Sequence, residues 1–241
     1  KLISENPYRI VGLLSNSSSK ELEKQKSKIT RYASVGKQID SKYDFPFLEK
    51  VSRSEDSISS AFANIEQNHN KLTHSLFWFI NSSSVDEIAI THLTVGDKAK
   101  AIEQWEKITA GKEVSTKNFS SFNNLGTLKL LGSSKEEITE GINTKIKLIQ
   151  SPCFEYFVHV VADQTYTIDN KKQIEKFIDD LLNQLKGRYS SSDTIKLFSN
   201  CDVDTQKYVA NKFIEAPLQS VENEIESCKK QRKANSGKAN D

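Results

Sequence analysis

The sequence predicts an all-α fold, and three observations carry that reading. Nine glycines and four prolines in 241 residues leave too few turn formers for the closely spaced turns of a sandwich or barrel. The strongest periodicity is helical: Ile174, Phe177, Ile178, Leu181, Leu182, Leu185 and Tyr189 recur at intervals of three and four, between the charged Lys172, Glu175, Asp179 and Lys186. Short runs of small polar residues also stand just ahead of most apolar periods. An N-cap belongs there, because its side-chain oxygen satisfies a backbone N–H that the first turn leaves open.

Ser17-Ser18-Ser19 precedes Leu22, Ile29 and Tyr32, and Ser54 precedes Ile58, Ala61, Phe62 and Ile65. Ser82-Ser83-Ser84 precedes Val85, Ile88 and Ala89, and Ser133-Ser134 opens a segment with Ile138, Ile142, Ile146 and Ile149. Pro152 suits the first turn of a helix carrying Phe154, Phe157, Val158 and Val161, since proline has no N–H to leave unpaired there. Asp169 or Asn170 caps the strongest helix and Gly187 loosens its end. Pro217 is expected to start a last helix, with Leu218, Val221, Ile225 and Cys228 on one stripe. From Arg232 to Asp241 the chain is polar and aperiodic, so fraying is expected there.

Charge and composition exclude several function classes. With 34 Lys+Arg against 32 Asp+Glu, the net charge of +2 creates no global field to draw in nucleic acid or membrane. The three cysteines, Cys153, Cys201 and Cys228, are an odd number at wide spacing, so a reducing cytoplasm fits better than a disulfide framework. Cys153 and Cys228 fall on apolar stripes, where burial is expected. No apolar run approaches the roughly 18–20 residues of a membrane span, and Leu2-Ile3 before Ser4-Glu5-Asn6 reads as no signal peptide.

Chemistry-bearing patterns are equally sparse. His69, His74, His92 and His159 form no metal-ligand motif, and each reads as structural. Asn200, Asp202 and Asp204 alternate like the opening of a calcium loop, but Thr205 replaces the turn glycine and the closing glutamate is absent. With no phosphate-binding glycine loop and no nucleophile elbow, no enzyme activity, metal or cofactor is expected. Trp78 and Trp105 sit at helical spacing among apolar residues and read as core rather than a ligand cage.

The most suggestive feature is a basic row. Lys20, Lys24, Lys28 and Arg31 fall at i, i+4, i+8 and i+11, which gathers four cations on one helix face. Such a row can be simply solvated, can dock an acidic protein surface, or can contact phosphates. The neighbouring Tyr8 and Tyr32 read as core rather than as a stacking platform, which disfavours nucleic acid.

Residues 6–37 resemble the first half of a DnaJ-type J domain. Tyr8, Val11 and Gly12 match that family's Tyr-x-x-Leu-Gly opening, and Leu22 and Ile29 match buried positions of its basic second helix. Ile58, Ala61, Phe62 and Ile65 follow the third-helix pattern. The departure is the His-Pro-Asp loop that stimulates the heat-shock chaperone ATPase: Ser34, Val35 and Gly36 stand in its place. The resemblance therefore implies a J-like unit that has lost the standard co-chaperone activity.

After Ser84 the chain resembles tetratricopeptide repeats. Gly96, Ala101, Trp105 and Ile108 match that family's spacing. A weaker second copy uses Phe122, Leu125, Gly126 and Ile142, with Lys129 where an aromatic is usual and Ile138 where alanine is usual, a size expected to push its two helices apart. Phe45-Pro46-Phe47-Leu48, Arg53 and Leu76-Phe77-Trp78-Phe79 resemble a bacterial group that joins a J-like segment to such repeats. The expected organisation is a degenerate J-domain-like unit at 1–80, tetratricopeptide-like hairpins at 81–150, and a helical C-terminal region with a frayed tail at 151–241. The function this implies is a non-enzymatic protein-binding adaptor, with a divergent co-chaperone and a nucleic-acid module as alternatives.

Overall fold

The computed structural model describes residues 2–37 and 39–237, with side chains given except at 215–220 and 233–237. The regular structure among these residues is helical, with no β-strand. The elements are α1 Pro7–Val11, α2 Ser19–Ala33, α3 Glu55–Ala63, α4 Asn68–Ser75, α5 Ser84–Thr94, α6 Lys98–Thr109, α7 Phe119–Leu130, α8 Lys135–Gln150, α9 Phe154–Val161, α10 Asn170–Leu185, α11 Ser191–Lys196 and α12 Val203–Gly237. They form two compact units, Lys1–Arg188 and Tyr189–Asp241.

In the first unit the helices start where capping chemistry places them. Ser18 with Glu21 and Ser134 with Glu137 make reciprocal capping boxes on α2 and α8, Ser54 with Ser57 does the same on α3, and Ser83, Asp97 and Asp169 cap α5, α6 and α10. Each side-chain oxygen satisfies an otherwise orphaned N–H. At the other end of α1, Gly12 adopts φ 75°, and a Cβ there would lie 2.8 Å from the Ser41 Cβ. The chain between α2 and α3 is held to α1 by Arg53, which is 6% exposed. Its five N–H groups donate to both Asp44 carboxylate oxygens and to the carbonyls of Arg9, Ile10 and Ile39.

The core turns on an irregular segment. Leu76, Phe77, Trp78, Phe79 and Ile80, between α4 and α5, are all at most 2% exposed, so their backbone groups cannot bond water and must find partners inside the protein. Asn124 supplies two, accepting from the Ile80 N–H at 2.9 Å and donating to the Ile80 carbonyl at 2.8 Å. Asn123 donates to the Trp78 carbonyl, Asn6 to the Phe77 carbonyl, and the Ser15 N–H to the Phe79 carbonyl. Aromatic rings close around this segment: Phe79 meets Phe45 at 5.3 Å, Trp78 at 5.4 Å and Trp105 at 6.1 Å. Phe77 stacks on Phe177 of α10 at 5.1 Å. Trp78 and Trp105 are fully buried, the core role their spacing predicts.

Helices α5 to α8 pack as successive neighbours. Ile138 does not splay α7 from α8, contrary to expectation. The close contact lies one turn further on: a Cβ at Gly141 would come within 2.9 Å of the Leu130 nitrogen and 3.1 Å of the Gly126 carbonyl oxygen. Helix α9 packs on α4, α7 and α8, and α10 packs on α8.

In the second unit, α11 packs on α12. Asp202 caps α12, accepting from the Asp204 and Thr205 N–H groups and from the Thr205 hydroxyl, which accounts for the acidic alternation there. Pro217 does not start this helix. It lies inside α12, which begins at Val203 and runs on through Arg232 to Gly237, past the point where fraying was expected; residues 238–241 lie outside the described residues. Cys228 is exposed rather than buried, whereas Cys153 is half-buried and Cys201 buried. Among the side chains described in this unit, the buried ones fall between Thr194 and Val209, while Val221, Ile225 and Cys228 are exposed.

Candidate protein-binding surface

Helix α2 anchors one face and exposes the other. Ile29 is 2% exposed, Leu22 is half-buried, Gln25 donates to the Val11 carbonyl at 2.8 Å, and Lys26 lies 5.5 Å from the Phe62 ring centre. At about 100° per residue, Lys20, Lys24, Lys28 and Arg31 fall on the side roughly opposite to these anchors. All four are exposed. No carboxylate among the described residues pairs with any of them, and Arg31 rests over the Tyr32 ring at 5.9 Å. Glu21 directs its carboxylate to the cap, accepting from the Ser18 hydroxyl and N–H, which lower its pKa.

The row ends at Ser34-Val35-Gly36. Ser34 closes α2, its hydroxyl donating to the Arg31 carbonyl at 2.9 Å. Val35 is 65% exposed and Gly36 adopts φ 68°. No imidazole, proline ring or carboxylate is present at these three positions.

A second surface lies among α6, α7 and α8. A cavity of about 300 Å³ opens between α6, α7 and α8, with Phe122 and Leu125 on its apolar side. Lys129 bridges Glu140 at 2.6 Å and Glu106 at 3.4 Å. Burial lowers the Lys129 pKa, but the bond to Glu140 and the two negative charges outweigh it, so the pKa stands above the ordinary value. Lys147 pairs with Glu113 at 3.2 Å. The sequence marked Lys129 only as a departure from the repeat pattern; Glu140 eleven residues later was a signal that it pairs across the hairpin. The four charged residues lining this cavity, Glu106, Lys129, Glu140 and Lys147, are all matched within the protein, unlike the cations of α2.

The densest polar cluster is enclosed. The Asp86 carboxylate, fully buried, accepts from Trp105 Nε1, Asn124 Nδ2, the Ser83, Ser120 and Ser121 hydroxyls and the Ser82 N–H. Lys145, also fully buried, donates to the Asn123 carbonyl and side-chain oxygens and to the Thr127 hydroxyl. None of these acceptors is a carboxylate, so burial drives the Lys145 pKa well below the usual lysine range.

The histidines are dispersed: His69 is exposed, His159 approaches Glu155 at 3.9 Å, and His74 has its pKa lowered by burial. The described residues contain no group of three His, Cys, Asp or Glu placed to hold a metal ion, and no helix among them is long and apolar enough to cross a membrane. No family model, no curated protein and no solved structure matches the chain.

Proposed function

We propose that this protein is a non-enzymatic adaptor, in which a degenerate J-like unit and tetratricopeptide-like hairpins form a scaffold that docks an acidic protein surface through Lys20, Lys24, Lys28 and Arg31. The observation that carries this is the exposed, internally unmatched charge of the α2 face. By contrast, Arg53 pairs with Asp44, Lys129 with two glutamates, and Asp86 lies within six donors. An unpaired row keeps its Coulomb attraction available to a partner, which speeds and orients association more than it stabilises the fold. Nucleic acid is the weaker reading, since Tyr8 is 1% exposed and Tyr32 half-buried, which leaves bases no aromatic platform beside the row.

The test is charge reversal of all four residues to glutamate, with affinity capture from the source cell by wild-type and reversed protein. Loss of a specific captured protein, with circular dichroism unchanged, is the expected result. Retention of every captured partner by the reversed protein would refute the docking assignment. Capture abolished by nuclease, with wild-type affinity falling on a log–log salt slope of roughly -3 to -4, would move the assignment to nucleic acid.

A further inference from the structure

An apolar stripe on α12 follows a coiled-coil spacing. Ile214, Leu218, Val221, Ile225 and Cys228 stand four, three, four and three residues apart, the a/d alternation that keeps one seam facing a partner helix. Ile214, Val221 and Ile225 are 53%, 52% and 48% exposed, and Cys228 is exposed too. The helix is 35 residues long, and among the described side chains of its unit the last buried one is Val209. We propose that this seam pairs with the same seam of a second copy of the chain, parallel and in register. This rests on α12 alone and is independent of the docking assigned to α2.

Charge pattern selects both the occupant and the orientation. With Val221 and Cys228 at d and Ile225 at a, Glu222 and Lys229 occupy e, and Glu224 and Gln231 occupy g. A parallel pair brings each g residue beside the e residue of the next heptad on the other helix. Glu224 then meets Lys229 of the second copy, twice by symmetry, and no like-charged e/g pair arises between Glu222 and Gln231. An antiparallel pair faces e with e and g with g. That puts Glu222 against Glu222 and Glu224 against Glu224 at its centre, offset only by Glu215 with Lys229 at its ends. Arg232 at the next a position ends the seam. Upstream, Pro217 cannot donate the helix bond expected at its position, so the uninterrupted seam is about two heptads. That is shorter than the three or four of an autonomous coiled coil, and the dimer therefore forms at high rather than low protein concentration.

Parallel register has a chemical signature. It sets Cys228 against Cys228, whereas the antiparallel pair sets Cys228 against position 218. Sedimentation of the reduced full chain, from micromolar to millimolar concentration, should show a reversible dimer, with the dissociation constant raised about tenfold or more by Val221→Glu with Ile225→Glu. Both side chains are exposed in the single chain, so circular dichroism should stay helical. Diamide, which takes up two electrons and two protons as two thiols become one disulfide, should convert the wild-type dimer to a linked species whose peptides map to Cys228, and Cys228→Ser should abolish it. A chain that stays monomeric throughout, or a dimer indifferent to the double variant, overturns the proposal. A dimer sensitive to the double variant but never linked through Cys228 overturns the parallel register.

Discussion

Asp86 and Lys145 show how single residues hold a buried polar centre, and what each costs. Asp86 is surrounded only by donors, six of them, so the carboxylate replaces its lost water with fixed hydrogen bonds, each stronger for being charge-assisted. Lys145 has three acceptors and no counter-charge in contact, and desolvation dominates its titration. A lysine with a lowered pKa in the fold but near 10.4 in the unfolded chain binds more protons when unfolded between those two values. Stability therefore rises with pH across that window, by up to about 1.4 kcal/mol per pH unit, and the penalty vanishes above the unfolded value. Urea melts of wild type and Lys145→Met from neutral pH upward should thus diverge, the wild type gaining relative to the variant as pH rises. Parallel stabilities would show that Lys145 keeps its proton inside the fold. Using the variant as reference cancels other groups, such as Cys201, whose thiol burial pushes up to about 12.

Among the elements, the α7–α8 hairpin shows small residues setting an interhelical distance. Gly141 lies against the backbone of Leu130 and Gly126, neither of which can turn aside as a side-chain tip could. Helix propensity alone would favour Gly141→Ala by roughly 1 kcal/mol. The added methyl must instead move backbone, so the substitution should destabilise by about 1–3 kcal/mol, as overpacking does; a stabilised variant in a denaturant melt would mean that the hairpin has room. What the sequence made legible follows from the range of the forces involved. Caps are local, so Ser18, Ser54, Ser83, Ser134 and Asp169 could be read within one turn of the residues they satisfy. Helix α4 has no capping side-chain bond and α11 spans six residues, so neither offers a periodic signal. The need for Asn123 and Asn124 arises from carbonyls more than forty residues away, which no window of sequence contains. Pro217 misled because a proline inside a helix looks like a proline starting one. The α2 row was legible as a row, while its lack of internal partners depended on tertiary placement.

At the scale of the whole molecule, the stretch read as J-like does not stand apart from the stretch read as repeats. The Ser15 N–H donates to the Phe79 carbonyl, Asn6 donates to the His74 and Phe77 carbonyls, and Phe79 stacks near Trp105, so the N-terminal helices and α6 share one core. Under the proposed reading, that core holds α2 on a rigid support and offers its basic face to a partner. A chaperone ATPase stimulator needs more than a basic face: it needs the His-Pro-Asp groups at the end of that helix. Under the J-like reading, the residues standing in those places are Ser34, spent on the Arg31 carbonyl, Val35 and a left-handed Gly36, with no group that could replace an imidazole or a carboxylate. Steady-state ATP hydrolysis by a cognate heat-shock chaperone should therefore be unchanged by this protein, even in excess. Stimulation comparable to that by an ordinary J protein, abolished by reversing Lys20, Lys24, Lys28 and Arg31, would replace the adaptor reading with a co-chaperone that acts through α2 without the loop.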